Sequence, residues 1–370
     1  MKPLIRTFAL MSTIAFAGAC ATVGGGTGTT PTGAGAGAGE VNNPSIIWPI
    51  KTREHVDLWL HGFAMLQEDT TFVPFFKRGY GTDLTVLKNR ANVVTQLDAN
   101  RDRLRARLAA NPRLINAQFV PLSFSSWSDL AAAADLFIRA NGDPRAASSQ
   151  EQAGAIAFFA AYFPTSADRD WLRLFVQSLN DESSKFYHSY WLQQQRERSN
   201  VLDLVDTLWQ RTYRPRMQGF LNNSQQAQGT MLLSLPLDGE GRSQTNGNQS
   251  NIITVTFPQR PNDAVEAIYV FAHEAVGGIA GTAVTDNITP EQRRTGVGDR
   301  YQSAAAVRGG AMLLQKVAPE ILDGYMRYYL SSVNRPTGSN VQSAFVSAFS
   351  IPDTIRDALG RQLDVVLGGI

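Results

Sequence analysis

Between residues 52 and 68 hydrophobic positions recur every three or four residues, with Val56, Trp59, Leu60, Phe63 and Leu66 on one side. That period predicts a helix. Glu54, Asp57, His61 and Glu68 gather within about 60° on its other side, given the 100° step of an α-helix. The default reading of such a stripe is a solvated face. The same period predicts helices at 84–110, 127–141, 149–162 and 167–179, with Pro164 as a break. A long one is expected over 183–211, interrupted by Pro215. Others follow at 264–282, 301–317, 319–332 and 352–367.

From 230 to 257 the texture changes. Met231-Leu232-Leu233-Ser234-Leu235-Pro236-Leu237 and Ile252-Ile253-Thr254-Val255-Thr256-Phe257 are short apolar runs, partly β-branched. Residues 238–251 between them are rich in Gly, Asn, Ser and Gln and read as a turn or mobile loop. The expected fold is mainly α with a small β-hairpin, in one α-rich globular domain over 44–370 with a subdivision near 215–230.

The amino terminus departs from this pattern. Lys2 and Arg6 precede an apolar run from Phe8 to Ala19, too short to span a bilayer as a mature helix. Residues 1–19 therefore read as a secretory signal peptide. It ends at Cys20, the only cysteine, so no intramolecular disulfide can form. Ala17-Gly18-Ala19-Cys20 resembles the lipobox of bacterial lipoproteins, with Ala17 where that family prefers leucine. The resemblance implies lipidation of Cys20 and a membrane-anchored protein of the cell envelope. Ala21, a non-acidic residue after the cysteine, favours the outer membrane in a host with two membranes. Residues 20–43, dominated by Gly, Thr and Ala, are too poor in side chains to fold and read as a flexible tether.

Composition adds exclusions. The chain has 370 residues, 43% hydrophobic and 18% charged, with a net charge of +2, values near those of an ordinary globular protein. Without Lys2 and Arg6 the 32 remaining basic side chains balance the 32 acidic ones. The arginines are scattered, so nothing points to nucleic acid as a partner. Serine-hydrolase, phosphate-loop and dinucleotide signatures are absent.

One constellation carries chemistry: Val270-Phe271-Ala272-His273-Glu274-Ala275-Val276-Gly277-Gly278. A hairpin followed by an apolar helix bearing His-Glu resembles the active-site helix of zincin metallopeptidases. There two histidines one turn apart bind zinc and the glutamate acts as general base. The resemblance, over about 50 residues, implies zinc, with His273 as a metal ligand and Glu274 as the base for peptide-bond hydrolysis. Gly277 stands where the second histidine would be. His61, on the polar stripe, is the candidate replacement, with Asp57, Asp286 or Glu291 as carboxylates that would complete the shell. His188, among Phe186, Tyr187, Tyr190 and Trp191, reads as a core histidine.

A structural reading accounts for the same segment. Gly277, Gly278, Ala280, Gly281 and Ala283 form a stripe of small residues that would let a helix bearing Ala304, Ala305, Gly309, Gly310 and Ala311 approach closely. Glu266, His273 and Glu274 would then be polar groups paired within a bundle. Two function classes follow: an exported, lipid-anchored, zincin-like metallopeptidase, active or degenerate, or a non-enzymatic envelope lipoprotein that binds a protein or envelope polymer.

Overall fold

The computed structural model describes residues 47–67, 71–245 and 248–368. The signal segment, Cys20, the tether and Glu68 lie outside the described residues. Strand β1 (Ile50–Lys51) leads into helices α1 (Glu54–Leu66), α2 (Tyr80–Arg90), α3 (Gln96–Ala99), α4 (Arg101–Ala110), α5 (Trp127–Arg139), α6 (Gln150–Tyr162) and α7 (Ser166–Glu182). Next come α8 (His188–Glu197), α9 (Ser199–Leu208) and α10 (Arg214–Asn223), then β2 (Gly229–Ser234), β3 (Arg242–Gln244) and β4 (Asn251–Thr256). The remainder is α11 (Glu266–Ala275), α12 (Gly277–Thr285), α13 (Pro290–Arg294), α14 (Val297–Val317), α15 (Leu322–Ser332), α16 (Val341–Ala348) and α17 (Asp353–Val366). The fold is mainly helical with a small β element, as the periodicity predicts.

Local chemistry explains several helix starts. Ser126 and Ser149 accept hydrogen bonds from the backbone N–H groups of Asp129 and Gln152, and Thr165 forms a capping box with Asp168. Pro215 does not interrupt. A π turn over Trp209–Tyr213 links α9 to α10, and Pro215 occupies the first turn of α10, where its missing N–H is tolerated. The helix expected over 264–282 breaks at Val276, just before two glycines of low helix propensity. Gln226 Nε2 donates to the Ala275 carbonyl at the break, 3.0 Å away.

The sheet order is β1-β2-β4-β3. The two strands expected as a hairpin, β2 and β4, are neighbours but run parallel, and the antiparallel pair is β3 with β4. A non-local contact decides this. The chain leaving β2 is held by segment 74–77, through Lys77 N–H to Pro236 O at 2.9 Å, Asp238 N–H to Phe75 O at 2.9 Å and Glu240 N–H to Pro74 O at 3.0 Å. It therefore crosses the end of the sheet and returns as β3 on the far side of β4.

Strand alternation divides the interior into two cores. Met231, Leu233, Ile253 and Val255 pack with residues of α9–α17, whereas Leu232 joins the core built from α1–α7. Tyr190 and Trp191 pack against both, so in chain order the change of core falls near α8.

Helix α1 is buried on all sides from His55 to Leu66, which overturns the solvated-face expectation for its polar stripe. Its polar residues are answered internally. Asp57 accepts from Ser234 Oγ at 2.6 Å and Trp191 Nε1 at 3.0 Å. His61 places Nδ1 3.2 Å from Tyr80 Oη and Nε2 3.2 Å from Glu182 Oε1. Glu182, fully buried, also accepts from Lys88 Nζ at 2.7 Å and from the Thr95 hydroxyl. One carboxylate thus ties α1, α2 and α7 together. Burial alone would raise its pKa, but His61 and Lys88 outweigh that and hold it at about 2.

Helices α12 and α14 pack closely, and of the glycines expected at that contact the tight ones are Gly309 and Gly310 on α14. An added Cβ would meet nothing within 4 Å at Gly277 or Gly278. The tight positions lie on α14. At Gly310 a Cβ would come 3.3 Å from His273 Cα and would overlap the Tyr325 hydroxyl, which donates to Val307 O at 2.8 Å.

Two stability outcomes follow. Gly310→Ala lowers stability by about 1 to 3 kcal/mol through overpacking, while Gly277→Ala does not lower it; denaturant unfolding of both variants checks the contrast. Because the Glu182 carboxylate is depressed in the folded state, its contribution is complete above the ordinary value of 4.5 and is lost as pH falls from there toward 2. Glu182→Gln is accordingly less stable than the parent at about pH 6, and its stability falls less steeply between about pH 5 and pH 2.5, as urea unfolding across that range will show.

Candidate metal centre

Helix α11 follows β4 and is buried along most of its length, which brings His273 and Glu274 under the sheet. The loop from β2 to β3, pinned by segment 74–77, brings Glu240 to the same point. His273 Nε2 lies 3.3 Å from Glu240 Oε2 and 3.6 Å from Glu274 Oε1. One donor atom from each residue falls within 4.8 Å of the others, and the residues are 1%, 5% and 9% exposed for His273, Glu240 and Glu274.

These spacings can be compared with coordination chemistry. Tetrahedral bonds of about 2.0 to 2.2 Å separate neighbouring ligand atoms by about 3.3 to 3.6 Å. One imidazole nitrogen and two carboxylate oxygens also form a donor set that zinc and other first-row divalent cations accept. The buried Glu240-His273-Glu274 cluster could therefore hold a metal ion.

Neighbouring groups fix the carboxylates. Ser303 Oγ donates to Glu240 Oε1 at 2.9 Å, leaving Oε2 toward His273. Gly241 N–H donates to Glu274 Oε1, also at 2.9 Å. A Cβ at Gly241 would lie 2.8 Å from Glu274 Cγ and overlap the Thr254 carbonyl, so glycine permits this approach. His273 packs near the Tyr329 ring at 5.5 Å, and its buried Nδ1 has no hydrogen-bond partner among the described residues.

Electrostatics separates the three groups. Burial opposes the charged form of His273, but Glu240 and Glu274 outweigh it and raise the imidazole pKa. Burial likewise opposes ionised Glu240, yet the charge and hydrogen bond of His273 lower its pKa. Glu274 is raised by burial and by the charge of Glu240. The two carboxyls are thus driven apart, Glu240 downward by His273 and Glu274 upward by burial.

The residues singled out from sequence separate here. His273 and Glu274 come together. His61 does not join them, because both its ring nitrogens are engaged by Tyr80 and Glu182 in the other core. Asp57 is occupied by Ser234 and Trp191, Glu291 pairs with Arg294, and Asp286 is exposed at the end of α12. His188 is no core residue: its side chain is 54% exposed and pairs with Glu54 at 2.9 Å. Glu240, missed in the sequence, stands 33 residues before His273 in a loop, where no helical spacing could flag it. Its only signal was a carboxylate flanked by Gly239 and Gly241.

Compared with known protein-family models, with curated proteins and with solved structures, the chain matches none.

Proposed function

We propose that this chain is an exported, lipid-anchored cell-envelope protein whose folded part carries a zincin-like, degenerate zinc centre at Glu240, His273 and Glu274. The observation that carries this reading is Glu240: a buried carboxylate outside the His-Glu motif stands 3.3 Å from His273, supplying a ligand that the motif lacks at Gly277. The antiparallel β3–β4 pair leading into α11 supports the same resemblance. The lipobox-like segment ending at Cys20 supports anchoring, with the outer membrane favoured where the host has two membranes.

Glu240, His273 and Glu274 would hold the ion. When bound, zinc would polarise a carbonyl oxygen and acidify water. In an active form of the centre Glu274, one oxygen of which is fixed by Gly241 N–H, would be the base that takes a proton from water instead of a ligand. The near-complete burial of all three groups and the absent second histidine favour metal binding without peptide turnover. In that form the protein presents an envelope protein or polymer with a metal-stabilised binding domain.

The purified chain should carry about one zinc per molecule, lost in His273→Ala and reduced at least about tenfold in affinity in Glu240→Gln. Elemental analysis after purification without chelator, and again after zinc reconstitution, reads this directly. Zinc-free protein in both preparations removes the metal reading and leaves the Glu240–His273 ion pair as a packing element. Peptide hydrolysis that Glu274→Gln abolishes, with zinc retained, would replace the degenerate centre with an active one.

Anchoring has a separate readout. Expressed in a bacterium, the protein should sediment with membranes and Cys20→Ala should release it; unchanged sedimentation of the variant removes the lipid anchor.

A further inference from the structure

A cleft of about 630 Å³ opens beside the first turn of α11, within the range of about 300 to 1,000 Å³ typical of small-molecule sites. Glu266 and His273 are seven residues apart on one helix, about 10 Å by the helical rise, so the cleft is separate from the metal centre. Asp238, Asp263, Glu266, Tyr269, Gly324 and Tyr328 contribute to its wall.

Its polar groups are unequally answered. Asp263 pairs with Arg260 at 2.7 Å, and Asp238 lies 3.4 Å from Tyr328 Oη. Glu266 is half-buried and makes no ion pair or hydrogen bond among the described residues. Burial, then the charges of Asp263 and Asp238, push its carboxyl up to about 7. Tyr269 is only 5% exposed, and its hydroxyl likewise has no hydrogen-bond partner among the described residues. That hydroxyl abuts Gly324, where an added Cβ would overlap it, so the phenol ends at the wall of the cleft. The ring is buried and the hydroxyl is left accessible from the cleft.

The lining also limits the ligand. Asp238, Asp263 and Glu266 do not converge within 4.8 Å as the metal-centre groups do, so a bare ion would not be enclosed. Arg78 and Arg327 also line the cleft but are engaged, Arg78 by Ser332 O and Arg327 by Asp323 at 2.6 Å, and Asp263 is paired with Arg260, so Glu266 is the charged group there without a partner among the described residues. The rings of Tyr269 and Tyr328, 5.8 Å apart between centroids and inclined at 49°, pack beside Glu266 at the same wall.

We propose that this cleft binds a small organic ligand through a cationic amine, which donates hydrogen bonds to the Glu266 carboxylate and the Tyr269 hydroxyl oxygen. An ammonium group has several N–H donors and no acceptor, which matches two unanswered oxygens. The site needs neither zinc nor the lipid anchor.

Spermidine titrated into the full chain by calorimetry tests this, with triethylene glycol as the uncharged control of similar shape. Saturable spermidine binding is expected, weakened at least about tenfold in Glu266→Gln and measurably in Tyr269→Phe. Glu291→Gln, an exposed acid outside the cleft, should bind as the parent does. Absent spermidine binding, equal affinity in Glu266→Gln, or equal binding of triethylene glycol overturns the proposal. Circular dichroism of each variant separates lost binding from lost folding, and Tyr269→Phe, which keeps the ring, serves as the second arm.

Discussion

Three backbone hydrogen bonds between segment 74–77 and residues 236–240 govern more of this molecule than their number suggests. They pull the chain leaving β2 across the end of the sheet, so that β4 fills the gap parallel to β2 and β3 closes the edge. The same contact sets Glu240 against His273 and Asp238 at the cleft wall. Loop entropy ordinarily opposes such placement of a glycine-flanked segment. Here Phe75 and Phe76 are buried in the α1–α7 core, so hydrophobic burial anchors the strand-like contact that holds the loop.

Buried charge is the second organising feature. Glu182 joins His61, Lys88 and Thr95 in one core, whereas Glu240, His273 and Glu274 form a set across the sheet. The two differ physically. Glu182 receives several donors and its carboxyl is held at about 2, a saturated network suited to fixing helices. In the second set His273 Nε2 faces two carboxylates, one carboxyl lowered and the other raised. That imbalance is what a cation would relieve, because one positive charge shared among the donors removes the conflict between neighbouring carboxylates.

Legibility in the sequence followed the range of the forces involved. The starts of α5, α6 and α7 were readable to within a residue because the apolar period is local, and the apolar period of α11 revealed a buried helix around His273 and Glu274. The polar stripe of α1 was misread because a helical wheel shows which residues share a side, not what covers that side. Asp57 and His61 found Ser234, Trp191, Tyr80 and Glu182, partners from 19 to 177 residues away. Of the glycines expected to pack, Gly277 and Gly278 meet open space whereas Gly310 is tight, and its neighbours His273 and Tyr325 come from two other helices, which the stripe could not name.

By itself the sequence determined the helical class, the small β element, the burial expected of the His-Glu helix and the chemistry available at His273 and Glu274, since these depend on period, propensity and residue type. Tertiary structure alone decided that β2 and β4 run parallel, that Glu240 rather than His61 meets His273, and that Glu266 and Tyr269 share a cleft. Each of these joins groups through contacts between distant segments, and their partners are selected by how the two cores close on the sheet, a constraint no local pattern encodes.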